Sequence, residues 1–195
     1  MEFAEVMRRR RMIRSYEDRP LPEETVERIV RNALRAPSAG FSQGWGFLVL
    51  TDRTDRERFW EAVGEPGAPS GNTMARAPLV VVALSHKQAY LDRYAAPDKG
   101  WTDRSEEHWP VPYWDIDASF AGLLMHLTAI DLELGSCFAG ITADRIPAFK
   151  QAFGVPDEYQ PVGYVTVGYP APDTPSPSLR RGHRPIAEVV HRGHW

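Results

Sequence analysis

Apolar positions along the chain recur with two spacings, a helical one and an uninterrupted or alternating one, and together they predict a short series of helices and strands. Phe3, Val6 and Met7 stand at i, i+3, i+4 and predict a first helix over 3–11 with these three facing inward. Pro22 suits a first helical turn, Glu23 and Glu24 suit the positive end of a helix, and Val26, Ile29, Val30, Ala33 and Leu34 make one stripe. That second helix stops at Pro37. Residues 46–50 read as a buried strand, and 55–63 as a helix with Phe59, Trp60 and Val63 on its apolar face. A Gly- and Pro-rich loop follows from Gly64 to Asn72. The run Pro78-Leu-Val-Val-Val-Ala-Leu84, β-branched and uncharged, is the strongest strand signal in the chain.

Residues 86–114 break this regularity with tyrosines, prolines, Trp101, Trp109 and Trp114. They predict a long excursion with some helix, either a lid or pocket wall or a plain packing of aromatics. A long helix is predicted from Asp117 to Leu134, with Phe120, Leu123, Leu124, Leu127 and Ile130 toward the core and Gly135 ending it. Thr142 is placed to cap a helix reaching Phe153, closed by Gly154, and 162–167 reads as a third strand. From Pro170 onward, five prolines rule out an internal strand or a regular helix. The segment 170–195 is then an extended arm, lying over something such as a partner subunit. The elements interleave without strict βαβ alternation, so the class is α+β, in one domain spanning 1–195.

Composition narrows the function classes. The chain has 195 residues and a formal net charge of −3, which argues against a nucleic-acid binder. One cysteine, Cys137, excludes an internal disulfide and fits a reducing compartment. No apolar run approaches the length of a membrane span, and the basic residues follow rather than precede the first apolar stretch, so a cytoplasmic location is expected. The distribution of charge is more informative than its sum. Residues 1–14 and 179–195 hold nine arginines against three acids, a surplus of +6, which leaves −9 for the remainder. Two basic clusters at the chain ends could converge on one anion, or could be solvated tails.

Several chemistries lack support. There is no Gly-rich phosphate loop after a strand. His191 and His194 have ligand spacing but no third partner, which argues against zinc. Ser38 and Ser42 lack a nucleophile-elbow context, and Cys137 reads as a buried structural thiol. Asp115 and Asp117 could pair as carboxylates, but capping the long helix is the better reading.

What remains is an ordered set of blocks. Arg10-Arg11-Met12-Ile13-Arg14-Ser15-Tyr16, Leu21-Pro22-Glu23 and Ala36-Pro37-Ser38-Ala39-Gly40-Phe41-Ser42-Gln43-Gly44-Trp45 are followed by Gly135-Ser136-Cys137-Phe138-Ala139-Gly140. Gly168-Tyr169-Pro170-Ala171 and a basic stretch ending Arg184-Pro185 complete it. Each block is weak alone; in this order, over nearly the whole chain, they resemble the FMN-dependent nitroreductase superfamily.

The resemblance implies the nitroreductase fold: a central, mostly antiparallel sheet flanked by helices, with an extended C-terminal arm and a domain-swapped-like homodimer. It implies FMN at the subunit interface, NAD(P)H as electron donor, and ping-pong transfer of two electrons to a nitroaromatic, quinone or similar electron-poor small molecule. Arg10 and Arg11 would contact the phosphate or ribityl chain, joined by Arg181 and by His183 or Arg184; guanidinium forks suit a phosphate dianion. Arg14 would lie by the pyrimidine edge, where positive charge favours the reduced ring. Pro37, Ser38, Ala39 and Gln43 would reach the flavin of the opposite subunit, and Ala139 and Gly140 would offer backbone groups near N5. The family commonly carries Ser at the place of Met12, leaving only backbone contact there, and Asn at the place of Phe41. No catalytic side chain is expected, because the cofactor performs the chemistry. Alternatives are a specialised relative, such as a benzimidazole synthase or dehalogenase, and a non-enzymatic flavin-binding protein.

Overall fold

The uncharged run at 79–84 lies at the middle of the structure. In the computed structural model, which describes residues 1–64, 74–172 and 176–195, it forms most of β2 (Leu79–His86), buried over nearly its whole length. β1 (Trp45–Leu50), β3 (Gly135–Ala139) and β4 (Tyr159–Gly168) complete an antiparallel sheet in the order β1-β2-β4-β3. Side chains alternate across β2, so each face of the sheet can take its own helices. Val80, Val82 and Leu84 pack with Phe59 and Trp60 of α3 (Arg53–Val63) and Phe149 of α6 (Ile146–Phe153). Leu79 and Val81 pack on the other face with Ile29 and Ala33 of α2 (Glu23–Ala33) and Ala121, Met125 and Ala129 of α5 (Tyr113–Asp131). The α+β class and the antiparallel sheet agree with the sequence reading.

The register of β2 on β4 slips once. Ala83 opposes Gly163 and Leu84 opposes Pro161, leaving Val162 unmatched. A bulge here tolerates a residue that has no N–H to give the ladder.

Two elements depart from expectation for physical reasons. β3 is a fourth strand, not predicted, because Gly-Ser-Cys-Phe-Ala lacks the β-branched signal and is held by pairing with β4. α5 starts at Tyr113, four residues early, so Asp117 lies inside it rather than capping it. Its buried face is also different: Ala118, Ala121, Met125 and Ala129 are inward, whereas Phe120 and Leu123 are 43% and 46% exposed. A helix apolar on every side gives no periodic clue to its core face, and here the small residues go inward because they allow the closest approach to the sheet. At Gly122, a Cβ would stand 2.6 Å from the Phe138 ring.

Smaller corrections follow the same logic. Glu133, at φ +60°, takes the left-handed position after α5, while Gly135 already belongs to β3, where a Cβ would lie 2.9 Å from Ile13. α1 (Phe3–Arg9) is shorter than predicted; it buries Val6 but leaves Phe3 and Met7 exposed. Leu34 is exposed beyond α2, and α6 starts after Arg145, so Thr142 does not cap it; Gly154, at φ +60°, does close it. Within the excursion, β2 runs straight into α4 (Lys87–Tyr94), and Tyr94, Trp101 and Trp109 form a cluster of tilted and edge-on rings. After the bridge at Pro170, the helical turns among the arm's described residues are short 3-10 ones, Pro177–Arg181 and Ile186–Glu188. The predicted loop to Asn72 falls, beyond Gly64, outside the described residues.

Candidate functional site

The arginine-bearing segment after α1 is laid along β3, the edge strand. Its backbone is tied there: Ile13 N–H donates to the Ser136 carbonyl at 2.9 Å. Buried Tyr16 donates its hydroxyl to the Ile13 carbonyl at 2.6 Å and meets Thr166 Oγ1 at 2.8 Å. Tyr16 bridges to Pro170, and Ala171 N–H donates to Ser15 O. The segment is therefore part of the sheet's margin rather than a loose tail.

Its cations are not equivalent. Arg8 and Arg9 both bond Glu5, and the hydrogen bonds from these two guanidinium groups hold the Glu5 carboxyl down at about 2. Arg9 also reaches Glu133 at 3.5 Å. Arg10, half-buried, and Arg11, exposed, have no ion pair or hydrogen bond among the described residues, and so can serve an external anion. Met12 is half-exposed and Arg14 half-buried beside them, the latter with a partner of its own.

At the other end of β3, Ala139 opposes Tyr164, and a Cβ added at Gly140 would meet nothing within 4 Å. Ser136 and Gly140 are separated by on the order of 13 Å along the strand direction. The edge thus runs from free guanidinium groups to an open stretch of backbone.

The segment 37–43 forms a tight turn elsewhere. Gly40, Phe41 and Gln43 all have positive φ (+60°, +56° and +50°), which costs about 1–2 kcal/mol at each of the two non-glycine residues. Ser38 Oγ accepts the Gln43 N–H at 3.1 Å, Ser42 Oγ donates to Ala39 O at 2.6 Å, and Ala39 N–H donates to Asp117 Oδ2 at 2.8 Å. Phe41 is 75% exposed. Ala39 is tied to the start of α5, whereas the arginine segment is tied to Ser136 beside His126, nine residues further along the helix and roughly 13 Å along its axis.

Arg181, His183 and Arg184 lie exposed at and after the first 3-10 turn of the arm; Arg184 pairs with Glu188 at 3.4 Å. None of them bonds to residues 10–14 among the described residues. One protomer brings Arg10, Arg11 and Arg14 onto the same edge as Ala139 and Gly140, and leaves the 37–43 turn and the arm apart from them.

His126 was not among the sequence-predicted residues. It is buried, its Nδ1 contacts Ser136 Oγ, and its Nε2 is buried without a hydrogen-bond partner among the described residues. Burial, reinforced by the charge of Arg10, pushes its pKa down to about 4. A lone histidine in an apolar helix carries no distinguishing periodicity; only its packing against the arginine segment gives it significance. Cys137 is buried, in agreement with a structural thiol. No group of three metal-ligating side chains occurs among the described residues, and no described helix is long and apolar enough to cross a membrane.

Comparison with known proteins puts this edge in context. A protein of Methanothermobacter thermautotrophicus named NADH dehydrogenase/NAD(P)H nitroreductase is 29% identical over 173 residues, covering 88% of this chain and 78% of its own. An Archaeoglobus fulgidus protein of the same name is 28% identical over 188 residues, 95% and 94% of the two chains. Among solved structures, a nitroreductase family protein from Clostridium difficile superposes with a TM-score of 0.75 at 23% identity over 100% of both chains. NfrA1 of B. megaterium superposes with 0.78 at 22% identity, over 98% of this chain and 74% of its own. These likenesses give the fold. The profile of the Nitroreductase family matches residues 7–169, from the start of the basic segment to the end of β4, and the chain is accordingly an oxidoreductase belonging to that family.

Proposed function

We propose that this protein is a cytoplasmic, FMN-dependent NAD(P)H oxidoreductase that works as a homodimer on nitroaromatics, quinones or similar electron-poor small molecules. The observation that carries this reading is the edge of β3, where Arg10 and Arg11 lie without counter-charges among the described residues at one end and Gly140 opens the backbone at the other. That edge fits FMN: two guanidinium groups suit its phosphate, and the distance to Gly140 suits a ribityl chain and ring. When bound, FMN would supply two-electron transfer from NAD(P)H to the acceptor, in two alternating half-reactions.

The chain's residues bind and orient. Arg10 and Arg11 hold the phosphate, with Met12 contributing backbone only, and Arg14 favours negative charge on the reduced pyrimidine edge. Ala139 and Gly140 present backbone to the reactive edge of the ring. Pro37, Ser38, Ala39 and Gln43 face the flavin from the opposite subunit, and Arg181, His183 and Arg184 close over the phosphate from the arm.

Two features support the dimer. The turn at 37–43 and the arginine edge are held apart within one protomer. The outer face of α5 shows Phe120 and Leu123, and Ile186, Val189 and Val190 of the arm are exposed as well. The whole chain acts as one domain in this reading, with 86–114 as a wall and 170–195 as the interface arm.

The test is a spectrum of the purified protein. A yellow protein with flavin absorbance, bleached by NADPH under anaerobic conditions and recoloured by a quinone, is expected. A protein that takes up no FMN and oxidises no NAD(P)H overturns the reading.

A further inference from the structure

Asp117 sits in the interior of α5, 3% exposed, where a carboxyl group contributes nothing to an apolar core. Its Oδ2 accepts two hydrogen bonds, and both come from outside its own helix. The Ala39 N–H donates at 2.8 Å, from the 37–43 turn, and the Tyr90 hydroxyl donates at 2.8 Å, from α4. Burial, and then the bond to Asp117, push the Tyr90 hydroxyl above the ordinary tyrosine range, so it remains a donor.

The same helix α4 grips the turn at two further points. Arg93 Nε donates to the Gly40 carbonyl at 2.9 Å while its guanidinium is held by Asp98. Glycine is required at both contacts: a Cβ at Gly40 would lie 2.6 Å from the Tyr94 ring, and one at Gly44 would lie 2.4 Å from the Tyr90 ring. The Tyr90 ring is itself fixed edge-on by Trp109 and Trp114. The aromatic excursion therefore acts as a backing for this turn. Without it, Phe41 and Gln43 would relax from positive φ.

From this we infer that Asp117 and Tyr90 are positioning residues: together they lock the 37–43 turn, before any ligand arrives, in the conformation that faces the partner's flavin. The inference rests on the proposed FMN function. It assigns a task to a carboxyl group buried at a helix position where an apolar residue would pack more cheaply. A turn already ordered loses less freedom on flavin binding and so increases affinity.

The test combines FMN titration by fluorescence quenching with amide hydrogen exchange of residues 39–42 in the flavin-free protein. Asp117→Ala removes the shared acceptor and is expected to weaken FMN about 10-fold and to speed exchange at Ala39 and Phe41 by a similar factor. Asp117→Asn keeps one acceptor and restores most of both; Tyr90→Phe removes one donor and weakens FMN about 3-fold. Combined with Asp117→Ala, Tyr90→Phe adds little further, because both belong to one unit. Met125→Ala, a core change on the same helix, lowers the unfolding midpoint and leaves both readouts within 2-fold. If Asp117→Ala behaves like Met125→Ala, losing stability but keeping slow exchange at Ala39 and unaltered FMN affinity, the inference is overturned. If the wild-type chain takes up no flavin, the proposed function fails separately; exchange at residues 39–42 still decides whether the pair holds the turn.

Discussion

The two arginine clusters at the ends of this chain are similar in composition and different in state. The N-terminal one is stitched to the edge of the sheet through Ile13, Tyr16 and Ala171, so Arg10 and Arg11 start from an ordered backbone. The C-terminal one, with Arg181, His183 and Arg184, sits on an arm that is exposed from residue 177 to 195. An anion meeting the first cluster finds its donors in place; an anion meeting the second must also fix the arm, and that ordering subtracts from affinity. The first cluster belongs to the protomer. In the proposed homodimer, the second gains a defined position from the partner.

Deleting 186–195 should expose this contrast most strongly. Loss of Ile186, Val189 and Val190 is expected to raise the dimer dissociation constant by about 100-fold or more, on the scale of two apolar anchors, and to lower flavin content with it. Sedimentation at several concentrations, with the absorbance ratio at 450 nm, would check it; a truncated dimer with full flavin would separate the arm from the interface.

Acidification should act on the N-terminal cluster through the buried His126. His126 lies against it with a folded pKa of about 4, below the ordinary 6.5 that the unfolded chain retains. As pH falls through this interval the unfolded state takes up the proton first, so stability declines from about pH 6.5 to about pH 4. Above that interval the contribution is whole; below it, the loss is complete. The size is about 3 kcal/mol, and His126→Gln should flatten the curve in urea melts across this range. Bound phosphate near Arg10 would offset that arginine's charge and shallow the decline.

Single arginine truncations give the next largest effect. Arg10→Ala should cost about 2 kcal/mol of FMN binding, roughly 30-fold in Kd, without altering the dimer. Arg181→Ala should cost less than half as much in energy, because an exposed donor contributes less net free energy. Equal losses from the two would show that the arm is as well ordered as the edge. Smallest is a change beside the anchored cluster: Glu133→Gly relieves the positive φ after α5 and should stabilise by about 1 kcal/mol, raising the midpoint by a few degrees. Its pair with Arg9, exposed and 3.5 Å long, is a minor loss.

Much of the fold was legible from the chain alone. The run at 79–84, the stripe of α2 with Ile29 and Ala33 inward, and Phe59 and Trp60 of α3 were all found where periodicity put them. The blocks also named Arg10, Arg11, Arg14, Ala139 and Gly140, and β3 is the element that lies beside both groups. α5 shows where periodicity stops. Its stripe of large residues predicts a core face that holds for Ile130 and in part for Leu124, but Phe120 and Leu123 are on the outside and the alanines are inside. Local preference makes Asp117 a cap, yet its carboxyl bonds Ala39 and Tyr90, which are 78 and 27 residues away.

The ordered blocks implied the family and its antiparallel sheet by resemblance; local spacing, charge and turn chemistry were enough to specify most of the helices, three of the four strands and the α+β class. They act over a few residues, and a helix or strand needs little more to declare itself. Which apolar face α5 buries, that Gly-Ser-Cys-Phe-Ala is a strand, and that Asp117 and His126 matter all depended on the folded chain. Those outcomes are set by what packs against each group from far along the sequence, and burial by a distant neighbour leaves no period in the residues that are buried.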